Sequence, residues 1–391
     1  MSTKSIITAF LLFLTVIAKA QDNYVAINQN IQLPQDSLEQ IGFRNGLNSF
    51  LYAIKENKGT ENWILPGEKS ETQILADFIY ECIQNDTTGS KPYLINAELF
   101  SDRKAYSIQI AYISLTNSEP AITAIVEFIA HKENDKFLFS SPLLRNTKEW
   151  NTSTQQHFIF HYQNQSAENL VNQYLKYLKE YDEMLSVTAK TDYYFCDDCE
   201  SMTQMLRMAG ILYSAEMNGF DWNSIGFTTE EKIINFLTQR QSRRPAVDPH
   251  NLFHRRAELA VPENNNYYMT CACANIYAGC WGLSWTEIKK MFKTKMTGNK
   301  KQDWLQLYYD RYNFGESNAT YIFVTTLING LIIEKTEIER GFEAVMSLIA
   351  SGDMYKDRNG FFKILEEVTG INERNFNRKV EEIITDLLKD I

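Results

Sequence analysis

Asp248-Pro249-His250-Asn251-Leu252-Phe253-His254 decides how the second half of this chain is read. An aspartate followed by proline marks a helix start: the carboxylate accepts from the exposed first-turn amides, and proline suits the first helical position, where its missing N–H is no loss. The spacing therefore predicts a helix from Pro249 to about Ala260, stopped ahead of Pro262. Residues four apart on such a helix lie on one face, one turn from each other, so His250 and His254 can present two imidazoles to the same metal ion. Glu258 is one turn further along, but three residues at i, i+4 and i+8 span about 12 Å of rise, too far for one ion. It is read as solvent-facing or salt-bridged.

Downstream lies Tyr268-Met269-Thr270-Cys271-Ala272-Cys273-Ala274-Asn275-Ile276-Tyr277-Ala278-Gly279-Cys280-Trp281-Gly282, where the small Ala272, Ala274 and Ala278 suit close packing against a second helix. The two stretches together resemble the zinc-binding region of the gluzincin, or peptidase-MA-like, metallopeptidases. The resemblance runs from about Gln156 to Ile391. It takes in a strand over His157–Tyr162, a long amphipathic helix over Ser166–Leu185, the turn Gly282-Leu283-Ser284-Trp285-Thr286-Glu287 into a helix, and a helical tail through Thr369-Gly370-Ile371-Asn372 and Phe376-Asn377.

That resemblance implies a zincin-like, mainly helical domain over 151–391. In the family a glutamate after the first histidine is the general base, and a glutamate on the second helix is the third zinc ligand. Here Asn251 stands in place of the base, and Cys271, seventeen positions after His254, stands in place of the ligand. An amide neither takes nor gives a proton near neutral pH, and loss of a general base typically costs about 10²–10⁴-fold in rate. A thiolate is a legitimate zinc ligand. The implied states are therefore zinc at His250, His254 and Cys271 with one open position, or no metal, with Cys271 an ordinary buried thiol or half of a disulfide with Cys273, Cys280 or another cysteine. A pseudopeptidase or severely impaired hydrolase is expected.

The first half has a different pattern. Met1–Ala20 has a lysine, an apolar run from Ile6 to Ile17 and a small-residue exit at Ala18-Lys19-Ala20, which reads as a secretory signal cleaved near Ala20. The expected location is periplasmic or extracellular. Helical spacing over Leu38–Ile54 and Glu71–Ile83, then alternation within Lys91–Phe139, predicts an α+β module over 21–150 with helices on one face of an antiparallel meander. In element order it is similar to the nuclear-transport-factor-2-like cone. The polar stretch Asn146–Gln156 is read as the separator between the two domains.

Composition narrows the partners. Losing Lys4 and Lys19 with the signal takes the formal charge from -10 to -12, which argues against nucleic acid, whose affinity rests on basic side chains. No later stretch is apolar enough to span a membrane. A peptide or protein is the expected partner, and Arg240-Gln241-Ser242-Arg243-Arg244 and Lys289-Lys290 are read as solvated faces. Three rival readings stay open. Cys196-Asp197-Asp198-Cys199, between a strand and a helix, could exchange disulfides, although Asp197, Asp198 and Glu200 disfavour a thiolate. The cleft could serve as a metal-free peptide- or protein-binding module. A working hydrolase could draw an acid from Glu216, Glu230 or Glu263.

Overall fold

The computed structural model describes residues 24–391 except 29, 35, 87–88, 117–118, 135, 165, 197–201, 216–223, 230, 239–247, 297–301, 316–320 and 390–391. The expected signal, Cys199, Glu216, Glu230 and the Arg240–Arg244 run lie outside the described residues. The chain mixes helices with two mixed sheets, and no described helix is long and apolar enough to cross a membrane. Two compact units divide it: one runs up to Ala167 and resumes over Lys190–Arg240, and the other comprises Glu168–Ala189 and Gln241–Ile391.

Unit one opens with β1 (Ala26–Ile27), α1 (Ser37–Lys55) and α2 (Lys69–Asn85), followed by β2 (Lys91–Leu99), β3 (Ala105–Thr116), β4 (Glu119–Glu133) and β5 (Lys136–Ser140). The last four form the expected antiparallel meander. Strand alternation sends Tyr106, Ile108, Ile110 and Tyr112 of β3, and Ala124, Val126, Phe128 and Ala130 of β4, into the core. Helical periodicity supplies the cover, with Phe43, Leu47 and Phe50 from α1 and Ile74, Leu75 and Phe78 from α2. Phe50 stacks on Phe139 at 4.6 Å and meets Phe128 edge-on at 5.1 Å. Full burial of each such side chain is worth about 1.5–3 kcal/mol. One expectation is corrected: the sheet is not purely antiparallel, because Ala26–Ile27 pairs parallel to β2.

The chain continues through β6 (Asn151–Gln155), β7 (Phe158–Tyr162), α3 (Ser166–Leu185), β8 (Thr191–Cys196), α4 (Met202–Met208), β9 (Ile211–Ser214), β10 (Ser224–Thr228) and β11 (Ile233–Thr238). Strands β10-β11-β8-β7-β6 make a second sheet, parallel at its centre and antiparallel at both edges. Strand β9 instead joins the first sheet beside β4. Residues 151–391 are therefore not mainly helical throughout; helices dominate only from Pro249 onward. Nor is Asn146–Gln156 a mere separator. Its Asn151–Gln155 is an edge strand, and because all five residues are polar it carries no apolar alternation to announce it. In the same unit Lys232 ties α2 to the second sheet, donating to Glu71 Oε1 at 2.6 Å and to Asp192 Oδ2 at 2.7 Å.

Unit two holds α3 and the helices α5 (Pro249–Ala260), α6 (Tyr267–Ala278), α7 (Trp285–Met296), α8 (Trp304–Tyr309), α9 (Val324–Arg340), α10 (Phe342–Ile349), α11 (Arg358–Thr369) and α12 (Phe376–Leu387). In α9, Leu327, Ile328, Leu331, Ile332 and Ile333 are all buried. A helix apolar on most sides belongs inside, and α6 packs between α9 and α5. Gly330 of α9 lets the Trp285 indole lie flush, since a Cβ there would come within 2.5 Å of the ring. Lys289 corrects another expectation: it is buried and donates to Glu334 at 2.9 Å, whereas Lys290 is exposed.

Candidate metal centre

The histidine helix begins where the sequence places it. Asp248 caps α5, its Oδ1 accepting from the Asn251 amide at 3.2 Å, and Pro249 takes the first turn. Helix α6 is capped by Asn266, whose side-chain oxygen accepts from the amides of Tyr268 and Met269. Two helices with fixed starts and small side chains between them, including the fully buried Ala272 and Ala274, bring one face of α5 against α6.

On that face His250, His254 and Cys271 converge. Their donor atoms lie within 4.8 Å of one another, and His250 Nε2 is 3.7 Å from Cys271 Sγ. Tetrahedral zinc, with bonds of about 2.0–2.1 Å to nitrogen and 2.3 Å to sulfur, needs about 3.6 Å between such a pair. Among the described residues this is the one group of three or more histidine, cysteine or acidic side chains placed to share an ion, and no carboxylate belongs to it. The donor set fits zinc.

The orientation of the first ring is fixed from behind. His250 Nδ1 lies 2.8 Å from the carbonyl of Gly279. A carbonyl only accepts, so Nδ1 carries the hydrogen and Nε2 turns its lone pair toward Cys271. Carbonyls behind ligating imidazoles commonly set tautomer and ring angle in this way. Gly279 ends α6 at φ 75°, ψ -173°, and a Cβ there would come within 2.3 Å of the Leu283 carbonyl oxygen. Only glycine tolerates that combination. Gly279→Ala is expected to weaken zinc binding about 10–100-fold by moving the carbonyl. Competition with a chromophoric chelator measures this, and unchanged affinity would show the carbonyl has no such role.

Burial, reinforced by His250 and Arg255, pushes the His254 imidazole down to about 3, so it is a neutral donor at physiological pH. Burial also pushes the Cys271 thiol up to about 12, with Cys280 adding to the effect. Cys271 thus holds its proton until a cation displaces it. None of Cys271, Cys273 and Cys280 is in a disulfide, which leaves the Cys271 sulfur available.

Asn251 does not take up a base's task. Its Nδ2 donates to Asp248 Oδ2 at 2.9 Å, turning the amide back onto its own helix cap. Glu258 is exposed and paired with Arg255 at 3.3 Å, as expected of a residue out of reach, and Glu263 is exposed and outside the cluster. Cys196 is disulfide-bonded, while Cys199 lies outside the described residues. Sequence reasoning missed Gly279 and Tyr267. A glycine just past a helix end is a legible C-cap, but which histidine its carbonyl would serve depends on how α5 and α6 cross. Tyr267 stacks its ring against His254 with centroids 5.1 Å apart.

No protein-family model matches the sequence, and no curated protein matches it.

Proposed function

We propose that the chain is an exported, gluzincin-like protein that binds zinc through His250, His254 and Cys271 and has given up efficient peptide hydrolysis, making it a pseudopeptidase or a severely impaired hydrolase. One observation carries this reading: three donors from two helices converge within 4.8 Å, with the His250 ring aimed by the Gly279 carbonyl. The finer fold assignments belong to the same proposal, a nuclear-transport-factor-2-like module for the helices laid on the first sheet and a zincin-like domain over Gln156 to Ile391. Export rests on the Met1–Ala20 pattern.

Bound zinc would supply a Lewis acid with one position free of protein ligands. His250 and His254 give neutral nitrogens and Cys271 gives a thiolate. Asn251, with no proton to take or return and its amide engaged by Asp248, leaves hydrolysis without its base. The site is then suited to holding a peptide or protein group more than to cutting it.

Elemental analysis of the purified full chain is expected to find about one zinc per molecule, and His254→Ala or Cys271→Ala to remove it. Because the Cys271 thiol is protonated before binding, zinc uptake by the stripped protein near pH 7 is expected to release about one proton, read by calorimetry in buffers of different ionisation enthalpy. A chain without metal that takes up none on titration refutes the proposal.

A further inference from the structure

Beyond His254 a row of tyrosines runs along unit two. Tyr267, stacked on His254, meets Tyr268 at 5.4 Å, and Tyr268 meets Tyr355 at 5.4 Å. Arg311 lays its guanidinium over both of the last two rings, 5.0 Å from the centre of Tyr268 and 4.0 Å from that of Tyr355. Tyr267 is 61% exposed and Tyr355 39%. Arg311 is exposed too, and among the described residues no carboxylate lies within ion-pair distance of it; Asp353 acts on it only from further away. In the same unit Arg255, Arg256, Arg358 and Arg378 each pair with an acid; Arg340 and Arg374 pair with none among the described residues, but neither lies over an aromatic ring as Arg311 does.

We propose that this row anchors a carboxylate-bearing peptide, with the carboxylate taken by Arg311 and the peptide chain lying over Tyr268 and Tyr267 toward His254. The inference rests on the reading of His250, His254 and Cys271 as the functional centre, and it adds the ligand's chemistry. A guanidinium offers a planar fork of donors matched to a carboxylate. Held on two rings, this one has already lost the freedom that binding would otherwise remove. Tyrosine and arginine are also the residues enriched where proteins recognise other chains. Arg311 lies over the rings of Tyr268 and Tyr355, and His254 over that of Tyr267, so the charge sits within the aromatic row itself.

The row also sets a length. Its contacts place Arg311 no more than about 16 Å from the His254 ring. An extended peptide covers about 3.3–3.6 Å per residue, so the carboxylate falls within about five residues of the group nearest the centre.

The test uses the full chain, immobilised, and three pools of hexapeptides randomised over non-acidic residues: one with a free C-terminal carboxyl, one C-terminally amidated, and one amidated but carrying a single Asp or Glu. Mass spectrometry reads what is retained, and zinc content is measured on the same preparation. One or both carboxylate pools are expected to be retained about tenfold over the neutral pool, and whichever leads identifies the carboxylate's source. Arg311→Gln is expected to abolish the difference, and Arg311→Lys to keep part of it. Equal retention of the neutral pool, an unchanged result in Arg311→Gln, or capture of chito-oligosaccharides with no peptide overturns the proposal. Arg311-dependent retention by a chain that takes up no zinc would sink the metal reading alone; zinc without Arg311 dependence would sink this one alone.

Discussion

Arg256→Met is expected to lower the unfolding free energy by about 3–5 kcal/mol. Arg256 and Asp182 are both buried, at 1% and 6% exposure, and their side chains meet fork to fork, Nη2 donating to Oδ2 at 2.6 Å beside a parallel bond from Nε to Oδ1. The pair joins α5, which carries the histidines, to α3. Removing the guanidinium takes both of these bonds from a buried carboxylate, and that lost compensation accounts for the size of the loss. Adding Asp182→Leu removes the buried carboxylate as well, and the double variant is expected to regain most of the stability, because a buried ion pair gains little over well-packed apolar groups. Urea unfolding of the four proteins in the cycle measures it. A single variant that loses less than about 1 kcal/mol would show that Asp182 does not depend on Arg256 for its compensation.

The second large effect is a gain. Asn251→Glu with Cys271→Glu would supply the two carboxylates that the proposed gluzincin-like reading calls for, but Asp248 stands in the way: the oxygen that now accepts from the Asn251 amide would face a like charge. Asp248→Ser keeps a helix cap and removes that repulsion. The triple variant is expected to cleave an unfolded protein substrate at least about 10²-fold faster than the unaltered chain. A chelator should abolish the cleavage, and the Asn251→Glu, Cys271→Glu pair alone should gain less. Equal cleavage by the unaltered protein refutes the impaired-site reading.

The parts of the fold legible in sequence are those whose signal is local. Asp248 and Pro249 set the start of α5, and Pro262 bounded its end; Ser166–Leu185 carries its amphipathic period over a full five turns. The meander in unit one was legible because one face of each strand is core and the other is not. Asn151–Gln155 was not, since its five polar residues carry no apolar alternation, and Ile211–Ser214 was not, since it is a short added strand whose partner in β4 lies far off in sequence. For the candidate centre, the one-turn spacing gave the two imidazoles, and Cys271 came only from the resemblance. The Gly279 carbonyl, the Asp248 hold on Asn251 and the contact between His254 and Tyr267 depend on how α5 and α6 meet, which no local pattern encodes.

The threading of the chain bears on its birth. Unit one is left unfinished at Ala167, before three of the five strands of its second sheet, while Glu168–Ala189 supplies a helix to the other unit. A nascent polypeptide of that length can lay its first helices on the meander, but unit one closes in full only once residue 240 or so has emerged, and unpaired strand edges stay open to aggregation for that time. A single protease cut or gene fusion near the middle cannot yield two self-sufficient halves, which binds the inheritance of one unit to that of the other.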